Sequence, residues 1–314
     1  MKKILALVIL SLIISGCNGF LYNQMPVLEF EQIDYGYPVK KSSSSPSIAY
    51  IDQGTGSETI ILIHGLASNA GFWRYNIGEL SKKYRVIAVD LPGYGKSQKG
   101  FTEYTLSFFA LSIKNLMDEL KIQKAVIAGH SMGGQTASIF GLKYPERVSA
   151  LVLAAPAGFE AFKKGEGDWL RNALNTGSIK LVNEEAARRN LANNFYNWSD
   201  KFEWLVEERV RMSKASEFPE FAYTVIKSIS AMLDEPTSKR IANLTMPVLI
   251  VYGKYDGLIP NMYLHPGFPS DVFVEGAAKI KNSKLVEIDD CGHMLQIEKP
   301  EAFNSAVIKF LEEK

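Results

Sequence analysis

Short apolar runs recur along the chain, separated by stretches whose apolar residues fall at helical spacing. Residues Ser47 to Asp52 alternate and predict a strand, Gln53 to Ser57 a glycine-containing turn, and Thr59 to Ile63 a buried strand. Phe72 to Lys82 has helical spacing, and Tyr84 to Asp90 is strand-like again. Thr105 to Leu120 predicts a long amphipathic helix, Lys124 to Gly129 a strand, and Met132 onward a helix that stops before Pro145. Val148 to Ala154 is the next strand. Strands alternating with helices predict a mostly parallel sheet with helices on both faces.

That rhythm breaks at Pro156. From Gly158 to Ile241 the chain is rich in helix formers and aromatics (Trp169, Phe195, Tyr196, Trp198, Phe202, Trp204) and has no convincing strand. The pattern resumes in phase with strands at Pro247 to Tyr252 and Lys284 to Ile288 and a helix at Pro300 to Leu311. The division predicted is an α/β core at 47–157 and 242–314, interrupted by a helical cap at 158–241. The cap aromatics would form its own core or a wall of the substrate site. Residues 17–46 read as a tether with an entry strand or two. The stretch Asn261 to Phe273, which includes His265, is long for a connection and reads as a lip of the substrate entrance.

Composition adds exclusions. Thirty-five Lys and Arg residues face 34 Asp and Glu, a net charge of +1, so charge offers no reason to expect nucleic acid as a partner. At the N-terminus Lys2 and Lys3 precede an apolar run from Ile4 to Ile14, the order of an export signal and too short to span a bilayer, which takes about 20 residues. The run closes on Ile14-Ser15-Gly16-Cys17, which resembles the lipobox of bacterial lipoproteins. That resemblance implies a signal at 1–16, a diacylglyceryl group on Cys17 and a membrane-anchored place in a bacterial cell envelope. Cys291 is then left as a free thiol.

The candidate chemistry centres on Gly129-His130-Ser131-Met132-Gly133, a G-x-S-x-G pattern between a predicted strand and a predicted helix. A serine there needs a base that is itself held by an acid. Of four histidines, His64 ends a strand and His130 lies inside the turn, leaving His265 and His293; His293, in the loop after the last strand, is the candidate base. Asp256, after the strand ending at Tyr252, is the candidate acid and gives the chain order Ser, Asp, His. Asp289 and Asp290 are rivals by their nearness to His293 in sequence. The histidines lack metal-ligand spacing, and no cofactor or metal is predicted.

Together His64-Gly65, Asp90 to Ser97, the Ser131 turn, Gly253 to Asp256 and Gly292-His293 resemble the α/β-hydrolase family, over residues from about 47 to the C-terminus. The resemblance implies an oxyanion hole made by the backbone N–H groups of Leu66 and Met132, and a helical cap after the strand ending near Pro156. Asp90 to Ser97, the Met132 turn and Ala155 to Phe159 look most like bacterial lipases and esterases related to monoacylglycerol lipases. The substrate implied is a small-molecule carboxylic ester with an apolar acyl chain. Hydrolysis of a carbon–carbon bond in ring-cleavage products is the alternative, and a non-catalytic, lipid-anchored binding protein the third reading.

Overall fold

The computed structural model describes residues 21–173 and 183–314. Eight strands form one sheet: β1 (Val39–Lys41), β2 (Ala49–Gln53), β3 (Thr59–Ile63), β4 (Arg85–Val89), β5 (Ala125–His130), β6 (Val148–Ala154), β7 (Val248–Gly253) and β8 (Ser283–Ile288). Their spatial order is β1-β2-β4-β3-β5-β6-β7-β8, with β2 antiparallel to both β1 and β4 and every other pair parallel. Strands β3, β5 and β7 are buried at every position, as expected of parallel strands covered on both faces. Helices α1 (Arg74–Leu80), α2 (Leu106–Glu119), α3 (Met132–Lys143), α8 (Pro269–Ala278) and α9 (Pro300–Glu313) flank the sheet, α2 packing on α3 and α1 on α9.

Chain direction across the sheet reverses at β3: the chain runs to β4 on one side and returns past β3 to β5 on the other. At such a switch point the loops leaving the strand ends part and open a crevice. The loops after β3 and β5 flank it, which is where Leu66 and Ser131 lie.

Between β6 and β7 the described residues hold four helices, α4 (Lys164–Ala173), α5 (Glu184–Ala192), α6 (Glu203–Met212) and α7 (Phe218–Asp234), and no strand. Despite this long excursion β6 and β7 are direct neighbours, with Leu151 paired to Val248. Phe195 and Phe202 stack at 4.4 Å inside an apolar cluster with Leu191, Leu205, Val206 and Val210. These aromatics are the interior of the insertion, whereas Trp169 and Tyr196 are exposed. The cluster also takes in Phe72, Met294 and Ile297 from the core, so insertion and core share one apolar seam.

Two expectations need correction. The segment read as a tether is packed from residue 21 onward: Phe30, Ile33 and Tyr35 are fully buried, the Tyr35 hydroxyl donates to Asp90 Oδ2 at 2.8 Å, and Arg211 and Lys214 of the cap bond Pro26 O and Asn23 O. Apolar side chains spaced through a polar stretch had a core to bury against. The long connection after β7 is shorter than expected, because α8 starts at Pro269 with Asp271 Oδ2 accepting the Phe268 N–H at 2.7 Å. The signal segment and Cys17 lie outside the described residues; among those described, no helix is long and apolar enough to cross a membrane.

Candidate active site

Strand β5 ends at His130 and α3 starts at Met132, so Ser131 alone makes the turn. Its backbone sits at φ +54°, ψ −117°, a region that side-chain-bearing residues rarely adopt. The flanking glycines are required by contact: a Cβ on Gly129 would stand 2.1 Å from Gly133 O, and one on Gly133 2.4 Å from Ile63 O. Hydrogen bonds hold the turn in place. The Ser131 N–H donates to Ala154 O at 2.9 Å, and the N–H groups of Gly134, Gln135 and Ala157 donate to Ser131 O at 2.9, 3.1 and 3.0 Å. The serine side chain is thus presented by a scaffold whose strain the surrounding bonds offset.

His293 Nδ1 lies 2.7 Å from Asp256 Oδ2, and Asp256 Oδ1 accepts the Leu258 and Ile259 N–H groups at 2.8 and 3.1 Å. Both residues are buried, at 2% and 6% exposure. A carboxylate so fixed keeps the proton on Nδ1 and leaves Nε2 with the lone pair a base needs. The acid and base loops touch along their backbones. Tyr255 N–H donates to Cys291 O at 2.9 Å, and a Cβ on Gly253 would meet Gly292 O at 2.1 Å. His130 Nε2 donates to His293 O at 2.9 Å with the two rings 4.8 Å apart, which sets the base beside the residue that precedes Ser131. Burial drives the His130 imidazole well below its ordinary pKa, so it stays neutral. The rival acids point elsewhere: Asp289 pairs with Lys254 at 2.7 Å, and Asp290 is exposed.

The segments that carry the two predicted oxyanion donors lie side by side. Met132 opens α3, and a helix leaves its first N–H groups without an internal acceptor. Leu66 follows Gly65, where an added Cβ would stand 3.3 Å from Ser131 Cβ, so the loop after β3 lies against the serine. His64 pins that loop through Nδ1 to Gly65 O at 2.7 Å and by accepting the Leu91 N–H at 3.1 Å, and burial lowers its pKa to about 4. From the other side α6 reaches down, Asn69 Nδ2 donating to Glu208 Oε1 at 2.6 Å and Arg209 Nη2 to Ala67 O at 3.3 Å. Neither Glu208 nor Arg209 was singled out from sequence. On a charged amphipathic helix they read as surface residues, and only the fold brings them to this loop.

His265 takes no part in the convergence. Its Nδ1 lies 2.5 Å from Glu160 Oε1 and its Nε2 3.3 Å from Glu166 Oε2, and its ring stacks on Phe162. It borders a cavity of about 350 Å³ lined by Phe159, Glu160, Pro260, Asp271 and Lys279 among others, which includes none of Ser131, Asp256 or His293. Cys291 is a buried free thiol whose pKa burial raises. Among the described residues no three His, Cys, Asp or Glu side chains are grouped to hold a metal ion.

Beside this geometry stands a match of residues 58–300 to the family model of the α/β hydrolase fold. The chain belongs to that family. A 2-hydroxy-6-oxononadienedioate/2-hydroxy-6-oxononatrienedioate hydrolase of Cupriavidus pinatubonensis is 31% identical over 289 residues, 87% of this chain and 93% of the relative. The dihydrolipoyllysine-residue acetyltransferase component of an acetoin cleaving system from Cupriavidus necator is 28% identical over 84% of this chain, which spans 66% of that longer protein. Among solved structures, a probable hydrolytic enzyme from Pseudomonas aeruginosa superposes with a TM-score of 0.81 at 28% identity, covering 91% of this chain and 98% of that one. These relatives fit the hydrolase fold; by name the two Cupriavidus proteins are a dienedioate/trienedioate hydrolase and an acetyltransferase component, and neither is a lipase.

Proposed function

We propose that this hydrolase cleaves a carbon–carbon bond beside a ketone in a substrate that carries a carboxylate, using Ser131, His293 and Asp256. The observation that carries the choice of substrate class is Arg209. Its guanidinium is part-buried, makes one hydrogen bond, to Ala67 O, and forms no ion pair within 4 Å among the described residues. Burial works against its charge, and the neighbouring Glu208 only partly restores it. A desolvated guanidinium beside the loop that carries Leu66 has donors to offer a substrate carboxylate, the group it matches two bonds at a time. The dioate substrate in the names of relatives about 30% identical supports the same reading.

In this scheme His293 draws the proton from the nucleophile as it adds to the substrate carbonyl, and the oxyanion forms between the Leu66 and Met132 N–H groups. The carbon–carbon bond then breaks, its electron pair passing to the conjugated oxo-acid fragment, which takes up the proton. Water attacks the acyl group that remains and releases the second acid.

A second reading, carboxylic ester hydrolysis, is favoured by the apolar surface just beyond the acid turn, where Met262, Tyr263 and Phe268 are 68%, 78% and 72% exposed and suit an acyl chain. The deciding experiment compares a 2-hydroxy-6-oxo-dienedioate with p-nitrophenyl octanoate in the wild type, Ser131→Ala and Arg209→Leu. The proposal expects the dioate to be the better substrate, turnover to vanish without Ser131, and KM for the dioate alone to rise roughly 10- to 100-fold in Arg209→Leu. Faster turnover of the ester, with Arg209→Leu unchanged on both, would replace it with the ester reading. We also propose a lipid anchor at Cys17, supported by the Lys2 to Cys17 pattern. Full-length protein that stays soluble, with an unmodified N-terminal mass, would sink it.

A further inference from the structure

Glu298 closes the single helical turn Leu295–Glu298, five residues beyond His293. Its side chain is 6% exposed and has no Lys or Arg within 4 Å among the described residues, an unusual setting for a carboxylate. Three main-chain N–H groups take the place of water. Gly292 donates to Oε2 at 2.7 Å, Tyr196 to Oε2 at 3.2 Å and Asn197 to Oε1 at 2.8 Å. Gly292 belongs to the loop that presents His293; Tyr196 and Asn197 belong to the cap, between α5 and α6. The same two segments meet twice more, through Met294 N–H to Asn194 O at 3.1 Å and at Gly292, where an added Cβ would stand 2.7 Å from Asn194 O.

We propose that Glu298 is a positioning residue that clamps the His293 loop to the cap, so that the seating of the cap sets the aim of the base. A carboxylate accepts on both oxygens and binds all three donors; no neutral side chain of that size does. A carboxamide keeps the volume but turns an NH2 group toward at least one N–H, so the clamp opens on one side. The effect reaches chemistry through His293, because small misplacements of a catalytic group are costly. This inference rests on the reading of His293 as the base.

The test uses the full chain as wild type, Glu298→Gln and Glu298→Asp. Three readouts are taken: kcat and KM on a substrate the wild type turns over, the rate of Ser131 labelling by a fluorophosphonate, and amide hydrogen exchange. In Glu298→Gln the clamp predicts kcat and labelling lower by roughly 10- to 100-fold, with KM within about threefold. It also predicts faster exchange in residues 193–198 and 290–295 together, with the sheet unchanged. Glu298→Asp, which keeps the charge but retracts it, should fall between. Labelling and kcat within twofold of wild type would overturn the inference. So would exchange that speeds up throughout the sheet, which marks a stability role only, or in the cap segment alone. A wild type that neither turns over nor reacts with the probe would sink the serine-hydrolase reading instead, and the exchange data would still decide whether the clamp exists.

Discussion

Two loops of this molecule each hold a histidine against carboxylates, and they are built to opposite ends. In the loop after β8, His293 gives one ring nitrogen to one carboxylate, Asp256, in a buried setting. In the loop after β7, His265 has a carboxylate at each nitrogen, Glu160 and Glu166, nearer to solvent. The first arrangement leaves the second nitrogen a lone pair, which is what a base needs. The second engages both nitrogens as donors and favours the imidazolium, whose pKa the Glu160 hydrogen bond raises. A carboxylate beside a histidine is therefore no sign of catalysis until the second nitrogen has been followed to its partner.

The comparison breaks most visibly in turnover. His293→Ala should lower kcat by about 10³-fold or more, and His265→Ala should leave it within about threefold. Steady-state kinetics on both variants checks this, and comparable losses would end the distinction. Next in size is a third histidine that has no carboxylate at all. His64 has only backbone partners, and its folded pKa of about 4 lies below the ordinary 6.5. The unfolded chain binds the extra proton between those values, so this group withdraws stability as pH falls from about 6.5 toward 4. A difference of about 2.5 pH units corresponds to roughly 3 kcal/mol. The stability gap between wild type and His64→Asn, from urea unfolding, should shrink by about that much between pH 7 and pH 4. Asp90, whose pKa burial raises to about 6, works in the opposite sense and is common to both proteins. The smallest effect belongs to His265. Its raised pKa adds stability that is fully present below about 6.5 and is lost as pH rises through the folded value. As a pair whose histidine is partly solvated it is worth about 1 kcal/mol or less. His265→Asn should cost that much at pH 6 and almost nothing at pH 9, by the same unfolding measurement.

Most of the sheet was legible because parallel strands are marked by short, wholly apolar runs. Val148 to Ala154 was bounded to the residue, and β3 likewise. Ser131, Asp256 and His293 stood out as candidates because a serine between two glycines, an aspartate after a strand and a histidine after the last strand each stand at a strand's C-terminal end. What stayed hidden is held by backbone. Glu298 bonds three N–H groups, and Arg209 bonds a carbonyl; such partners carry no side-chain identity for a pattern to catch. The packed course of residues 21–36 was hidden for a related reason. Phe30, Ile33 and Tyr35 are too few and too scattered to show a period, and their burial depends on surfaces made elsewhere in the chain.

That N-terminal segment also has a place in time. Glu29 receives the Ser216 N–H and hydroxyl, a contact 187 residues away along the chain. At about 5–20 residues per second, a growing chain takes roughly 10–40 s to make the second partner after the first. The contact that fixes Glu29 therefore forms long after Glu29 itself has been made. Until α7 has emerged, Phe30 lacks Phe221, the ring it packs against at 5.4 Å, and Glu29 lacks Ser216, whereas Tyr35 can already reach Asp90.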